Sequence, residues 1–167
     1  MHSSPVSVIK RLTELIAMGD FWKSVVFSFV RIILGFSLAL ILGTVLAALS
    51  SAFFAVEVLM EPLIMGIKAT PVASFIILCL IWIPSRNLSV FISFLMVFPV
   101  VYTNILEGIR QTDKQLLEMA DSFGAGVGKK LQFIYLSQVM PYAVTACKLG
   151  LGLCWKAGIA AEVIGIP

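Results

Sequence analysis

The sequence predicts an all-α, polytopic helical membrane protein with about four transmembrane helices and one polar helical knuckle outside the bilayer. Three observations predict it. Of 167 residues, 60% are hydrophobic and 13% charged, and the mean hydropathy is +1.04, whereas a soluble domain carries about 25% charge. The charges are also bunched: residues 32–56, 69–85, 87–106 and 131–147 hold no Asp, Glu, Lys or Arg. Each interval suits a bilayer span, which takes about 17–25 mainly apolar residues. Finally, the stretch from Thr112 to Pro141 breaks this pattern with charges and glycines spaced for two short helices.

Taken in order, Ser4 and Pro5 suit an N-cap and a first helical position. Val8, Leu12, Leu15 and Ile16 make an apolar stripe with Ser7, Lys10, Arg11 and Glu14 opposite, and Gly19-Asp20 ends it. Residues 1–20 are therefore expected to form an amphipathic helix against membrane lipid at the interface; packing on a partner subunit is the alternative. Residues 21–167 form the membrane domain. A first span is expected from Ser24 to Ala52, with Arg31 near its start reaching for the headgroups. Gly35 and Gly43 allow close helix approach. Glu57 and Glu61 mark the water-facing end.

Pro62 opens a second span reaching Ile83, interrupted at Thr70-Pro71. Irregular backbone at that depth is tolerated only against protein or a water-filled cavity, so Thr70 and Pro71 are candidates for lining a pathway; a packing kink is the alternative. Ser85-Arg86-Asn87 reads as a tight turn before a third span, Leu88 to Leu106. A fourth, Val139 to Ile164, contains Lys148, Lys156 and Glu162. Charges inside spans are costly and face an interior or a cavity. Lys148 is near enough to one end to snorkel. Lys156 and Glu162, six residues apart on different faces, are left with two readings each: a salt bridge to another helix, or a pathway role.

The knuckle, residues 112–137, carries its own folding signals. Thr112 with Gln115 fits a capping box that starts a helix at Asp113. Leu116, Ala120 and Phe123 fall on one apolar face, with Lys114, Glu118, Asp121 and Ser122 on the other. Gly124 stands where a left-handed cap is needed, Gly126 and Gly128 loosen the turn, and a second short helix is expected from Val127 through Leu136. The glycine run does not suit a phosphate cradle, since no strand precedes it and the spacing differs.

Glu118-Met119-Ala120, three residues, Gly124, nine residues, Ile134-Tyr135-Leu136 resembles the EAA motif of ABC importer permeases, with Met119 in place of the second residue and Ser137 where proline is usual. Further stretches, Ser28 to Phe36, Glu61 to Pro71, Lys148 to Gly152 and Trp155 to Glu162, resemble the nitrate/sulfonate/taurine-type branch of these permeases. The resemblance implies a partial type I permease fold in which the knuckle is a cytoplasmic coupling helix. Glu118, Met119, Ala120, Gly124 and Ala125 would then meet the ATPase. It implies a multi-pass protein of the bacterial plasma membrane that imports a small anionic, sulfonate- or nitrate-like solute. The implied partners are cytoplasmic ABC ATPase subunits, a second permease copy or homologue, and an extracytoplasmic solute-binding protein. ATP would be hydrolysed by the ATPase subunits, and the chain needs no cofactor of its own. Family members usually carry one more span before and one after the matching region, so an internal piece or shortened form is expected.

Charge does not orient the chain. Lys68, Arg110, Lys114, Lys129 and Lys130 lie on one side and Lys10, Arg11, Lys23, Arg31 and Arg86 on the other, an even tally under the positive-inside rule. Only the resemblance places the knuckle in the cytoplasm. His2 is the sole histidine and Cys79, Cys147 and Cys154 lie in apolar segments without a paired spacing, so no catalytic constellation or metal site is expected and the chain is not expected to be an enzyme. The net charge of +3 gives no sign of nucleic acid. The rival readings are a static membrane scaffold subunit, a permease of another importer branch and, weakened by the missing catalytic groups, an intramembrane enzyme.

Overall fold

A computed structural model describes residues 5–165, which are almost wholly helical and contain no strand. In chain order the helices are α1 (Pro5–Ile16), α2 (Gly19–Ala52), α3 (Phe54–Ala69), α4 (Val72–Trp82), α5 (Ser85–Arg110), α6 (Lys114–Ser122), α7 (Val127–Lys130) and α8 (Leu136–Gly165), with a π-helical segment Leu131–Tyr135 joining the last two. Three helical runs, α2, α5 and Val127–Gly165, are long and apolar enough to cross a membrane. The pair α3/α4, bent by 106°, makes a fourth if it counts as one broken span.

Helix α5 is the centre of the bundle, held between α2 and α8. The close approach comes from small residues at helical spacing. On α2 the buried positions are Ile32, Gly35, Ala39, Gly43, Ala47 and Ser50. A β-carbon on Gly35 would stand 2.4 Å from the Val90 carbonyl oxygen, and one on Gly43 2.8 Å from Val101 Cγ1. Helix α8 repeats the device, with Gly150 against Val97 and Gly158 against Ile32 and Ser93. With no water to drive apolar association in a bilayer, such contacts and interhelical hydrogen bonds hold spans together. Tyr102 Oη donates to Ser50 Oγ at 2.8 Å across the α2–α5 seam, and Ser93 Oγ donates to the Cys154 carbonyl at 3.4 Å across α5–α8.

Several expected boundaries move. Helix α1 forms, though Ser4, its expected cap, lies outside the described residues. Its end falls at Ile16, and Gly19 and Asp20 open α2 instead of closing α1, because a carboxylate in a first turn suits the positive end of a helix dipole. The Trp22 indole N–H donates to the Ile16 carbonyl at 3.0 Å and ties the two helices together. Helix α3 starts at Phe54, so Glu57, Glu61 and Pro62 are all interior to it; Pro62 withholds one N–H without stopping the helix. The break at Thr70-Pro71 occurs as expected. Ser85, Arg86 and Asn87 are no tight turn but the first turn of α5: Pro84 caps it, and the Asn87 N–H donates to the Pro84 carbonyl at 2.9 Å.

Candidate functional site

The polar interlude folds as a compact knuckle at the junction of α5 and α8. Its first helix is capped by Asp113, whose carboxylate accepts from the Gln115 N–H at 2.8 Å. The expected cap, Thr112, lies one residue too early; it is buried, and its hydroxyl donates to the Gly108 carbonyl at 3.2 Å instead. That hydroxyl closes the end of α5, and so the carboxylate next door takes over the start of α6.

The turn after α6 is a Schellman motif. The Ala125 N–H donates to the Ala120 carbonyl at 2.9 Å, and the Gly124 N–H to the Asp121 carbonyl at 2.9 Å. This pairing requires a left-handed residue at the position after the cap. Gly124 supplies it with φ of +66°, the one positive φ among the described residues. Three residues of the candidate set thus share one role: Ala120 and Ala125 are the two ends of the longer bond, and Gly124 is the corner between them. A Lys130–Asp121 ion pair bridges the corner from the far side. Residues nine apart carry no periodic signal, and this pair becomes visible only once the turn is known.

Beyond the corner, the expected second short helix is not a separate element. Residues 127–130 run through the π segment straight into α8, and Pro141, expected at the entrance of a new span, lies inside α8. A π turn inserts one residue into the helical ladder without opening it.

The knuckle has distinct faces. Leu116, Leu117 and Ala120 turn inward and are half-buried, while Gln115, Glu118, Met119 and Ser122 are exposed. Phe123, expected on the inward face, is instead 84% exposed beyond the helix end. Leu117, which the periodicity missed, lines a cavity of about 1000 Å³ between the knuckle and the bundle, together with Ser51, Glu57, Arg110, Lys114 and Tyr135. A Glu57–Arg110 ion pair ties α3 to the end of α5 in that wall. On the outer side Glu118 stands beside Met119, 53% exposed, with Phe123 and Val127 (74%) bare nearby. Large apolar side chains uncovered on an otherwise polar projection mark a surface meant to be covered.

The remaining candidates are not gathered at one point. Thr70 is half-buried, its hydroxyl donating to the Gly66 carbonyl at 2.8 Å, and Pro71 caps α4 at the bend. Glu162 faces Arg31 of α2 at 3.9 Å with both side chains mostly buried, and Arg31 Nη2 donates to the Ser85 carbonyl at 3.2 Å. Arg31 thus bridges three helices, α2, α5 and α8, and of the two readings of Glu162 the structure shows the interhelical salt bridge. Lys156 is exposed on α8. Among the described residues no three His, Cys, Asp or Glu side chains gather as metal ligands would.

Residues 35–167 match the family described as binding-protein-dependent transport system inner membrane component. The chain is 26% identical over 163 residues to the putative aliphatic sulfonates transport permease protein SsuC of Bacillus subtilis (strain 168), covering 97% of this chain and 59% of that protein. It is 25% identical over 166 residues to the taurine transport system permease protein TauC of Escherichia coli (strain K12), at 96% and 60%. It is 26% identical over 147 residues to the bicarbonate transport system permease protein CmpB of Synechococcus elongatus, at 87% and 52%. The chain therefore spans between about half and three fifths of the length of these relatives. With the family pattern covering most of its length and agreeing with the apolar helices and the capped knuckle, this multi-pass inner-membrane protein belongs to the binding-protein-dependent transport system inner membrane component family.

Proposed function

We propose that the chain is a membrane-spanning subunit of an ATP-driven importer and that the knuckle is its docking element for a cytoplasmic ATPase. The observation that carries this reading is the rigid Schellman corner presenting Glu118 beside uncovered Met119 and Phe123. In this reading two ATPase subunits and a second permease copy or homologue complete the machine, and an extracytoplasmic binding protein delivers the solute. ATP is hydrolysed by the ATPase subunits alone, so this chain contributes no catalytic group. The knuckle biases the inward–outward equilibrium only through its differential contacts with the two ATPase states. Sulfonate, taurine and bicarbonate in the relatives' names share an oxyanion group, which supports a small oxyanion as solute. Helix α1 lies along lipid at the membrane interface, its Val8, Leu12 and Ile16 facing the bilayer.

Glu118 gives the test. Its carboxylate has no partner among the described residues and is exposed. An exposed charge in water contributes about 0–1 kcal/mol, whereas a desolvated one paired across an interface costs about 2–5 kcal/mol to truncate. Glu118→Ala should weaken assembly with the ATPase at least about tenfold, since ~1.4 kcal/mol is a factor of ten, while membrane insertion is unchanged. Lys114→Ala, on the cavity side, should change it less. Unaltered ATPase binding and unaltered solute-stimulated hydrolysis in the Glu118 variant would favour the scaffold reading.

A further inference from the structure

The side of α8 turned away from the bundle carries two lysines that no acidic side chain among the described residues neutralises. The buried side is made of Ala146, Gly150, Cys154, Ala157, Gly158, Ala161 and Gly165. Opposite them Lys148 and Lys156 are both exposed. They stand eight residues apart, about 12 Å along the axis and about 80° around it, so one broad face holds both. Between them is Gly152, where a β-carbon would meet nothing within 4 Å. Packing among the described residues therefore does not require a glycine there, and the surface between the two lysines carries no side chain at that position.

The charge balance is one-sided. Among the described residues the ion pairs between membrane helices are Arg31–Glu162 and Glu57–Arg110. Lys148 and Lys156 have no acidic partner, and Lys68, at the end of α3, reaches only the Thr103 hydroxyl at 3.5 Å. Glu61, the one acid of α3 without a partner among the described residues, lies a turn beyond Glu57 near the middle of that helix, about two turns before Lys68.

Depth excludes an easy escape to the headgroups. Helix α8 has 30 residues, and Gly150 packs on Val97 near the middle of α5. From the midpoint of α8, Lys148 and Lys156 lie roughly 4 and 8 Å away, on either side, within a hydrocarbon layer of about 15 Å half-thickness. With the bilayer centred on that midpoint their amines start about 7–11 Å inside, more than a four-carbon stem covers with ease, so Lys148 lies deeper than the snorkelling position its place in the sequence suggests. Charges at such depth face a partner or a water-filled cavity.

We propose that this face of α8 lines a water-filled route across the membrane, and that Lys148 and Lys156 are two successive contacts for a permeating monovalent oxyanion. The inference rests on the importer reading and adds to it the residues that the solute meets. A lysine ammonium is a compact charge with three rotatable donors, suited to handing on an oxyanion rather than fixing it. Two weak contacts about 12 Å apart meet the requirement that a permeant ion enter readily and still leave.

The test uses the assembled transporter with its ATPase in lipid vesicles, on a background in which Cys79, Cys147 and Cys154 are replaced by Ala. Lys156→Cys is exposed to two water-soluble thiosulfonate reagents, one anionic and one cationic. Preferential modification by the anionic reagent, at least about fivefold, with the preference lost on adding Lys148→Gln, is the expected result. No modification by either reagent places the position against lipid and overturns the proposal, as does equal reaction with both. A second arm measures uptake of ethanesulfonate, taurine and bicarbonate. Lys156→Gln and Lys148→Gln should each lower uptake at least about tenfold with ATPase assembly intact, and Lys156→Arg should recover most of it. Wild-type uptake of one of these solutes with both Gln variants unimpaired refutes this inference and leaves the importer reading standing. A wild-type complex that neither assembles with an ATPase nor moves any solute refutes the importer reading itself.

Discussion

Gly124→Ala isolates the conformational role of the knuckle corner. A methyl group there meets nothing within 4 Å, so the substitution carries no steric clash, only the backbone strain of φ +66°. That strain is about 1–2 kcal/mol for a residue with a β-carbon. The two bonds that depend on the corner, from Ala125 to Ala120 and from Gly124 to Asp121, should open more often by the same free energy. Amide hydrogen exchange reads this directly: protection of Gly124 and Ala125 should fall about five- to thirtyfold, as ~1.4 kcal/mol is tenfold. The Lys130–Asp121 ion pair is too exposed on the Asp side to make up the loss, since such pairs contribute about 0–1 kcal/mol. Gly126→Ala is the matched control. Gly126 also has open space, but its φ is −64°, so exchange should stay within about twofold. If the two variants exchange alike, the corner is a spacer and the argument from backbone conformation fails.

Gly35→Ala should act by packing, because its new β-carbon meets the Val90 carbonyl, which cannot swing away. Overpacking costs about 1–3 kcal/mol, read as a lower denaturation midpoint in detergent; an unchanged midpoint would mean α2 and α5 stand further apart than described. Arg31→Met or Glu162→Met alone should destabilise by about 3 kcal/mol, because each strands a mostly buried charge, and the double variant should lose less than the two losses added. Simple additivity of the two losses would show that the pair does not interact. A cysteine placed at Ser122 should be shielded from an impermeant reagent added outside intact cells, and labelling from outside would reverse the proposed orientation.

The sequence made the knuckle legible where a residue type has only one economical use. Gly124 announces a left-handed corner, and Gly35 and Gly43 announce close helices, because no other side chain fits either place. Helix boundaries were less legible because two neighbours compete for each. Thr112 and Asp113 can both cap α6, and the choice falls to whichever is not already held by the end of α5. Pro62 looks like a helix start in isolation, yet it is carried inside α3 by the flanking residues. Tertiary partners were hardest to see. Arg31 with Glu162 and Asp121 with Lys130 depend on which helix ends meet, and spacing along the chain does not encode that.

The unbroken passage from α7 through the π segment into α8 makes the 39 residues Val127–Gly165 a single lever. Its natural fulcrum is the tight contact of Gly108 on Tyr142, where a β-carbon would have only 3.0 Å. The short arm, Val127 to Tyr142, is about 22 Å and the long arm, Tyr142 to Gly165, about 35 Å at 1.5 Å per residue. A push of about 2 Å at Val127 would swing Gly165 about 3 Å the other way, widening the far end while narrowing the near one. A flexible glycine–serine segment inserted between Lys130 and Leu131 would cut the lever while leaving both of its ends in place. Docking should then survive and uptake should stop; uptake at the normal rate would show that the knuckle acts through α5 instead.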